Sequence, residues 1–478
     1  MQTLWLALDL PCLPLEVFAL VQPATGPRAV IDSAGHAGRV TACNPAALAA
    51  GAAPGMAQST AAALAAGLQF IRRRPDLEQS VLQGLAIWAQ QFTPTVALHP
   101  PRSLLLEIGG CLDYFHGLTR LQQSVHEGVA AQGYTVKSGC APTPLAALWL
   151  ARCGVDQPCT DPARLESALA PLPVSLLPLA PATGQDLLRL GIRTLGQLDA
   201  LPRQGLARRF GSDLLRLLDR ARGRIADPQA VFVPPQTFCQ RLELAWSIDR
   251  YDALLFIGRQ LSITLAGFLR ARGQGVQQVE YRLEHGDGRS TPLRVGYSTP
   301  TRQADELVAV LREALARLEL PAPVEAVTLQ AGQLHRLCST SPDLFGNAGS
   351  QTNTPLLHAR LRARLGDAAV KQVTTVADHR PERAWDIGTS RAHALEPTRA
   401  ARPGWLLPTP RPLPIRHGHP WHSETIACQG QPERLETGWW DGQRVTRDYW
   451  IGQGESGRRY WVFQDRGSGE WFLHGWFD

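Results

Sequence analysis

Between residues 4 and 152 the spacing of apolar residues keeps switching between a period of two and a period of three to four, and few folds accept that switching. Runs of strand length fall at 4–10, 28–32 ("RAVID"), 38–43 ("GRVTAC"), 95–98, 103–108 and 134–138. Helical spacing separates them at 59–68, 76–92, 118–132 and 143–152, and in the second of these Leu77, Val81, Leu85 and Trp88 share one face. Asn44 and Pro45 open a further helix, one supplying an N-cap oxygen and the other a first-turn residue whose missing N–H costs nothing. Strands and helices in this order predict one α/β domain ending near Ala170.

From there to Arg224 the pattern is of short helices punctuated by Gly191, Gly196, Gly211 and Gly223. "VFVPPQTF" reads as a linker because Pro234-Pro235 interrupts regular structure. The next segment reads strand, helix, strand, strand, helix, strand, a split βαβ arrangement of the ferredoxin-like type. Past Phe345, "GNAGSQTNT" reads as a flexible linker, 356–365 as a short Arg-rich helix, and "PTRAARPGWLLPTPRPLPIRHGHP" as extended chain. The last fifty residues concentrate Trp439, Trp440, Tyr449, Trp450, Trp461, Trp471 and Trp476 between Gly-containing turns, which predicts a small antiparallel β module.

No apolar stretch reaches the ~20 residues needed to cross a bilayer, and Asp9 interrupts the first one, so a cytoplasmic protein is expected. The nine cysteines are dispersed without CxxC spacing, which suggests neither a zinc site nor a disulfide framework; no metal and no cofactor are expected. A formal charge of +6 and a pI near 9.0 permit an acidic partner such as nucleic acid. All but two of the 48 basic residues are arginine, the exceptions being Lys137 and Lys371. Arginine suits bidentate phosphate contacts.

Several stretches, in order, resemble the Y-family translesion DNA polymerases. "CNPAALAAGAAPGM" is similar to their fingers motif, "FTPTV" with "PPRSLLLEIGG" to the palm strands that carry the catalytic acids, and "SGCAPTPLAALWLA" to the segment that carries the triphosphate-binding lysines. The resemblance implies a right hand: palm-like at 1–10 and 71–168, fingers-like at 11–70, thumb-like and helical at 169–230, little finger at 236–340. A clamp-binding motif at 341–346, a linker at 347–420 and the aromatic module at 421–478 follow. The fold class expected is thus α/β and α+β, multidomain.

The departures from the family carry the chemistry. Its two metal ions need paired carboxylates. Asp9 keeps the first acid, but the adjacent pair falls on Arg102 and Ser103. The triphosphate contacts fall on Pro45, Leu48, Pro142 and Pro144, and the phosphate-cradling glycines of the thumb on Pro178 and Ala180. Nucleotidyl transfer is therefore not expected; the alternative is an active polymerase that recruits Glu107 or Asp113 as an unorthodox second ligand. Thumb residues Arg189, Arg193, Arg203, Arg208 and Arg209 remain candidates for DNA backbone contact.

"TSPDLFG" resembles sliding-clamp ligands of the form Q-x-[SD]-L-F, with Ser341, Pro342, Asp343, Leu344 and Phe345 in register and Ser341 in place of the Gln. "DHRPERAW" and the aromatic tail are similar to the ImuB branch, catalytically degenerate relatives within the bacterial DNA-damage mutasome. That resemblance implies a nucleoid-associated scaffold for DNA repair. Its partners would be DNA, the sliding clamp (β subunit of the replicative polymerase), a RecA-like accessory protein called ImuA, and an error-prone C-family polymerase. The tail aromatics are candidate partner contacts, since Trp, Tyr and Arg dominate binding hot spots. A DNA-binding regulator that needs no clamp is a third possibility.

Overall fold

The structure, a computed structural model, describes residues 3–19, 26–32, 38–337, 354–371, 373–387 and 401–477. The chain forms two compact units, residues 1–364 and 365–478.

The first unit begins with β1 (Trp5–Asp9) and α1 (Leu13–Ala19). A small subdomain follows: β2 (Arg28–Ile31), β3 (Val40–Cys43), α2 (Pro45–Ala49), α3 (Gln58–Leu64) and β4 (Gln69–Arg72). Here β2 pairs antiparallel with β3 and parallel with β4. Asn44 caps α2 as expected, its side-chain oxygen accepting from the Ala47 N–H at 2.9 Å. The expected helix 59–68 stops at Leu64, because Gly67 turns the chain at φ +75° into β4.

The chain then returns to β1 through α4 (Pro75–Ala89), β5 (Val96–His99), β6 (Ser103–Glu107), α5 (Leu118–Ala131), β7 (Lys137–Ala141) and α6 (Pro144–Cys153). The four strands form an antiparallel sheet in the order β5-β6-β1-β7. Alternation splits β1 between two cores: Leu6 and Leu8 face Leu82, Leu85 and Val125 of α4 and α5, while Ala7 faces Ala147 and Ala151 of α6. Gly139 decides how close α6 can come, since a Cβ there would lie 2.3 Å from the Ala151 nitrogen. The strand expected at 134–138 starts three residues later. Residues 134 and 135 instead close the end of α5, with Tyr134 buried and the Thr135 N–H donating to the Glu16 carboxylate at 3.0 Å.

Short helices α7 (Leu165–Leu169), α8 (Pro181–Arg189), α9 (Leu195–Asp199), α10 (Arg203–Phe210) and α11 (Ser212–Ala221) pack on the α6 side of the sheet. The Thr143 hydroxyl, which also caps α6, donates to the Ala221 carbonyl at 2.7 Å and ties α11 to it.

The third part runs β8 (Cys239–Ile248), α12 (Tyr251–Arg272), β9 (Gln274–His285), β10 (Ser290–Thr301), α13 (Ala304–Leu315), β11 (Val324–Ala331) and β12 (Leu334–Arg336). Its sheet order β10-β9-β11-β8 splits both βαβ units, with β11 between β8 and β9, and β9 between β10 and β11. Among the described residues α12 is the one helix long and apolar enough to cross a membrane, and most of it is buried inside this fold. It packs against α4, where Trp88 fits between Gly128 of α5 and Gly267 of α12; a Cβ at Gly267 would lie 2.8 Å from the Trp88 carbonyl oxygen. The Gln260 side chain donates to the Gln132 carbonyl, and Arg270 donates to Gln91 at 3.1 Å. One apolar core therefore runs from the first sheet into the third part. Helix α14 (Thr354–Leu365) adds Arg360, paired with Glu313 at 2.6 Å.

The second unit comprises β13 (Val373–Thr375), β14 (Trp385–Ile387), β15 (Trp405–Leu413), β16 (Ile415–Arg416), β17 (His419–His422), β18 (Glu424–Cys428), β19 (Glu433–Thr437), β20 (Val445–Gly454), β21 (Arg459–Asp465) and β22 (Trp471–Phe477). Its main sheet has the order β15-β22-β21-β20-β18-β17-β16, with β19 also on β20. The span 347–420, expected to be a linker, thus supplies strands to the module. Pro408 and Pro410 lie in a register break between Leu406 and Arg411, and β15 is an edge strand, where a residue without an N–H is tolerated.

Candidate functional site

Register brings four polar residues into one row across the first sheet. His99 of β5 lies opposite Ser103 of β6, Ser103 opposite Asp9 of β1, and Asp9 opposite Lys137 of β7. The row is on the α6 face, because Asp9 follows Ala7 by two residues. Asp9 is 1% exposed. Its Oδ1 accepts the Ser103 hydroxyl at 2.8 Å and the Arg102 Nε–H at 3.1 Å. Arg152, carried over the row by the close seat of α6 on Gly139, has its Nε 3.9 Å from the same oxygen. Burial pushes the Arg152 guanidinium down from its ordinary value, with Asp9 opposing and Arg102 reinforcing the shift. His99 is also held below its ordinary value, mainly by burial and then by Arg152, so it is neutral at pH 7.

The Y-family resemblance implies two divalent ions at this place, and the residues do not fit them. The single carboxylate already accepts two hydrogen bonds, and its neighbours Arg102, Arg152 and Lys137 are cationic. Glu107 lies opposite Trp5 at the far end of β6, about 13 Å along the strand. Its Oε1 accepts from the Leu4 and Gly109 N–H groups at 3.3 and 3.1 Å. Asp113 is exposed beyond the following turn. Among the described residues neither acid bonds to Asp9 or to its partners Ser103, Arg102 and Arg152. Pro45 and Leu48 are exposed on α2, Pro142 is half-buried and Pro144 is buried at the start of α6; none offers a side-chain donor.

The five thumb-like arginines are exposed but not equivalent. Arg203 is bound to Asp219 at 2.6 Å and Arg189 to Asp186 at 3.5 Å. Among the described residues Arg193, Arg208 and Arg209 have no carboxylate partner, although the Arg209 guanidinium lies 5.6 Å from the Phe210 ring centre.

The tail aromatics divide more sharply. Tyr449 and Trp461 are 3% and 2% exposed and stack at 4.3 Å, so these two expected partner contacts are core. A module this small must bury its largest side chains to have a core at all. Trp450 and Trp471 pack on each other at 4.9 Å, and with Trp476 they are half-buried against a second cluster. Trp439 and Trp440 remain, 75% and 57% exposed, in the turn between β19 and β20. Sequence reasoning missed Trp405 and Trp385, which are comparably exposed. The motif Ser341, Pro342, Asp343, Leu344 and Phe345 lies outside the described residues.

Residues 8–152, the span that builds this row, match the model of the IMS (impB/mucB/samB) family. Protein ImuB of Caulobacter vibrioides is 28% identical over 460 residues, covering 89% of this chain and 99% of that protein. DNA polymerase IV of Moorella thermoacetica is 28% identical over 324 residues, covering 64% of this chain and 78% of that one. The first similarity covers more of this chain than the second. The chain is similar to Protein ImuB over most of its length. Among solved structures, DinB from Sulfolobus solfataricus aligns at a TM-score of 0.40 and 16% identity, over 69% of this chain and 98% of that one.

The second unit contains a buried polar cluster that sequence reasoning did not find. His474 lies against Trp461 at 5.5 Å and accepts from or donates to the Tyr449 hydroxyl at 2.9 Å. Arg447 joins that hydroxyl at 3.2 Å to Glu382 at 3.0 Å, so "DHRPERAW" is stitched to the sheet. Arg380, also within that stretch, is bound by Asp378 and Asp441, each at 2.6 Å. A stretch singled out for its resemblance thus has a structural task in the second unit.

Proposed function

We propose that this chain is a non-catalytic Y-family-related scaffold for translesion synthesis in the DNA-damage response. It would bind DNA and the sliding clamp and recruit an error-prone C-family polymerase and the RecA-like ImuA. The observation that carries the reading is Asp9, its carboxylate engaged by Ser103 and Arg102 in a row with no second acid. Phosphoryl transfer by two metals requires carboxylates free to hold them on both sides of the reacting oxygens.

Primer extension tests it. The purified chain is expected to incorporate no nucleotide with Mg²⁺ or Mn²⁺; robust incorporation abolished by Asp9→Ala overturns the reading. Recruitment is read by pull-down. Leu344→Ala with Phe345→Ala is expected to lose the clamp and keep the protein partners, whereas removal of residues 365–478 is expected to do the reverse. The exposed Trp439 and Trp440 support the second assignment.

A further inference from the structure

The row His99, Ser103, Asp9, Lys137 has more donors than its one carboxylate can use. Arg102 reaches Asp9 through Nε, and its two Nη nitrogens have no acceptor among the described residues. The Arg152 Nε and the His99 Nδ1 are buried without a hydrogen-bond partner. Lys137 is exposed and has no carboxylate partner among the described residues; its ammonium lies beside Gly154, at the end of α6 next to Arg152. The other acid acting on the row is Asp227, near His99, and burial raises its pKa. Two cations against Asp9, a third, Lys137, at the end of the row, and unused N–H groups on Arg102 and Arg152 make a demand for an anion.

We propose that this row binds a phosphodiester group of a DNA strand directly, with Arg102, Arg152 and Lys137 standing where a polymerase palm places acids and metals. The inference rests on the DNA-binding part of the function proposed above. Arginine's planar fork matches a phosphate's two free oxygens, and such charge-assisted contacts need no metal. A triphosphate is the less suitable ligand, because Pro45, Leu48, Pro142 and Pro144 give its further phosphates no side-chain donor. The thumb-like helices, which carry the exposed Arg208 and Arg209, pack on this same face of the sheet.

The test measures binding of the full chain to a fluorescent primer–template by anisotropy, in EDTA, across a salt series. Arg102→Ala with Lys137→Ala is expected to weaken binding by roughly fivefold to tenfold and to flatten the salt slope by about one to two units. Asp9→Asn, which removes the competing anion and keeps the shape, is expected to tighten binding, an effect a merely structural role would not give. Arg208→Ala with Arg209→Ala serves as the control for DNA binding as such. If that control weakens binding while the palm variants change neither affinity nor slope, the inference fails and the DNA-binding reading stands. If the unsubstituted chain does not bind DNA at all, both fail. Displacement of the DNA by a deoxynucleoside triphosphate in EDTA, lost in Arg102→Ala, would identify a nucleotide site and overturn the backbone assignment.

Discussion

His474 is wholly buried, and burial brings its pKa down from 6.5 to about 4. The neutral ring is therefore the native form, and between those two values the unfolded chain binds the extra proton. Stability from this group is complete above pH ~6.5 and is lost as pH falls toward 4, by an amount on the order of 3 kcal/mol. Thermal melts of the second unit's tryptophan signal between pH 7 and 4 are expected to shift downward in this window. His474→Gln should remove most of the shift. Nothing in "WFLHGWF" marks this histidine, because the groups that surround it, Glu382 and Arg447, come from distant positions. Asp9, Arg102 and Ser103 were singled out by the resemblance to the palm motif, which falls on the end of β1 and the start of β6. Arg152 and His99 were not, since only sheet register and the seating of α6 bring them to the same row.

At the scale of elements, periodicity located most of the longer helices and strands of the first unit, missed the short α1 and β4, and failed where composition was mistaken for conformation. The proline-rich stretch was read as linker, yet β15 pairs with β22 from Trp405↔Trp476 to Leu413↔Trp471. Proline removes an N–H donor but leaves the extended φ of a strand, so an edge with a bulge accepts it. The same prolines blunt the edge against other chains. Replacing Pro408, Pro410 and Pro412 together with Thr is expected to keep the fold and increase self-association, read by sedimentation velocity across a concentration series. An unchanged monomer fraction would mean that the edge is protected by something else. The observed β7 begins at Lys137, which lies level with Asp9 at the end of β1.

At the scale of the molecule, a shared apolar core joins the first sheet to the third part of the first unit. The wedge of Trp88 between Gly128 and Gly267 allows α4, α5 and α12 to approach closely enough to share one core. Trp88→Ala is expected to cost about 3–5 kcal/mol. Gly267→Leu should cost at least as much as an ordinary overpacking change, about 1–3 kcal/mol, because backbone cannot yield as a side chain does. Denaturant titration checks both. A shared core also couples melting: residues on either side of the 234–235 prolines cannot lose structure independently without exposing Trp88, Leu261 and Phe268 together. Calorimetry of the first unit's signal should therefore give one cooperative transition, and a protease should find that linker only after the whole body opens. What looks in sequence like a hinge between two parts is, thermodynamically, a loop within one.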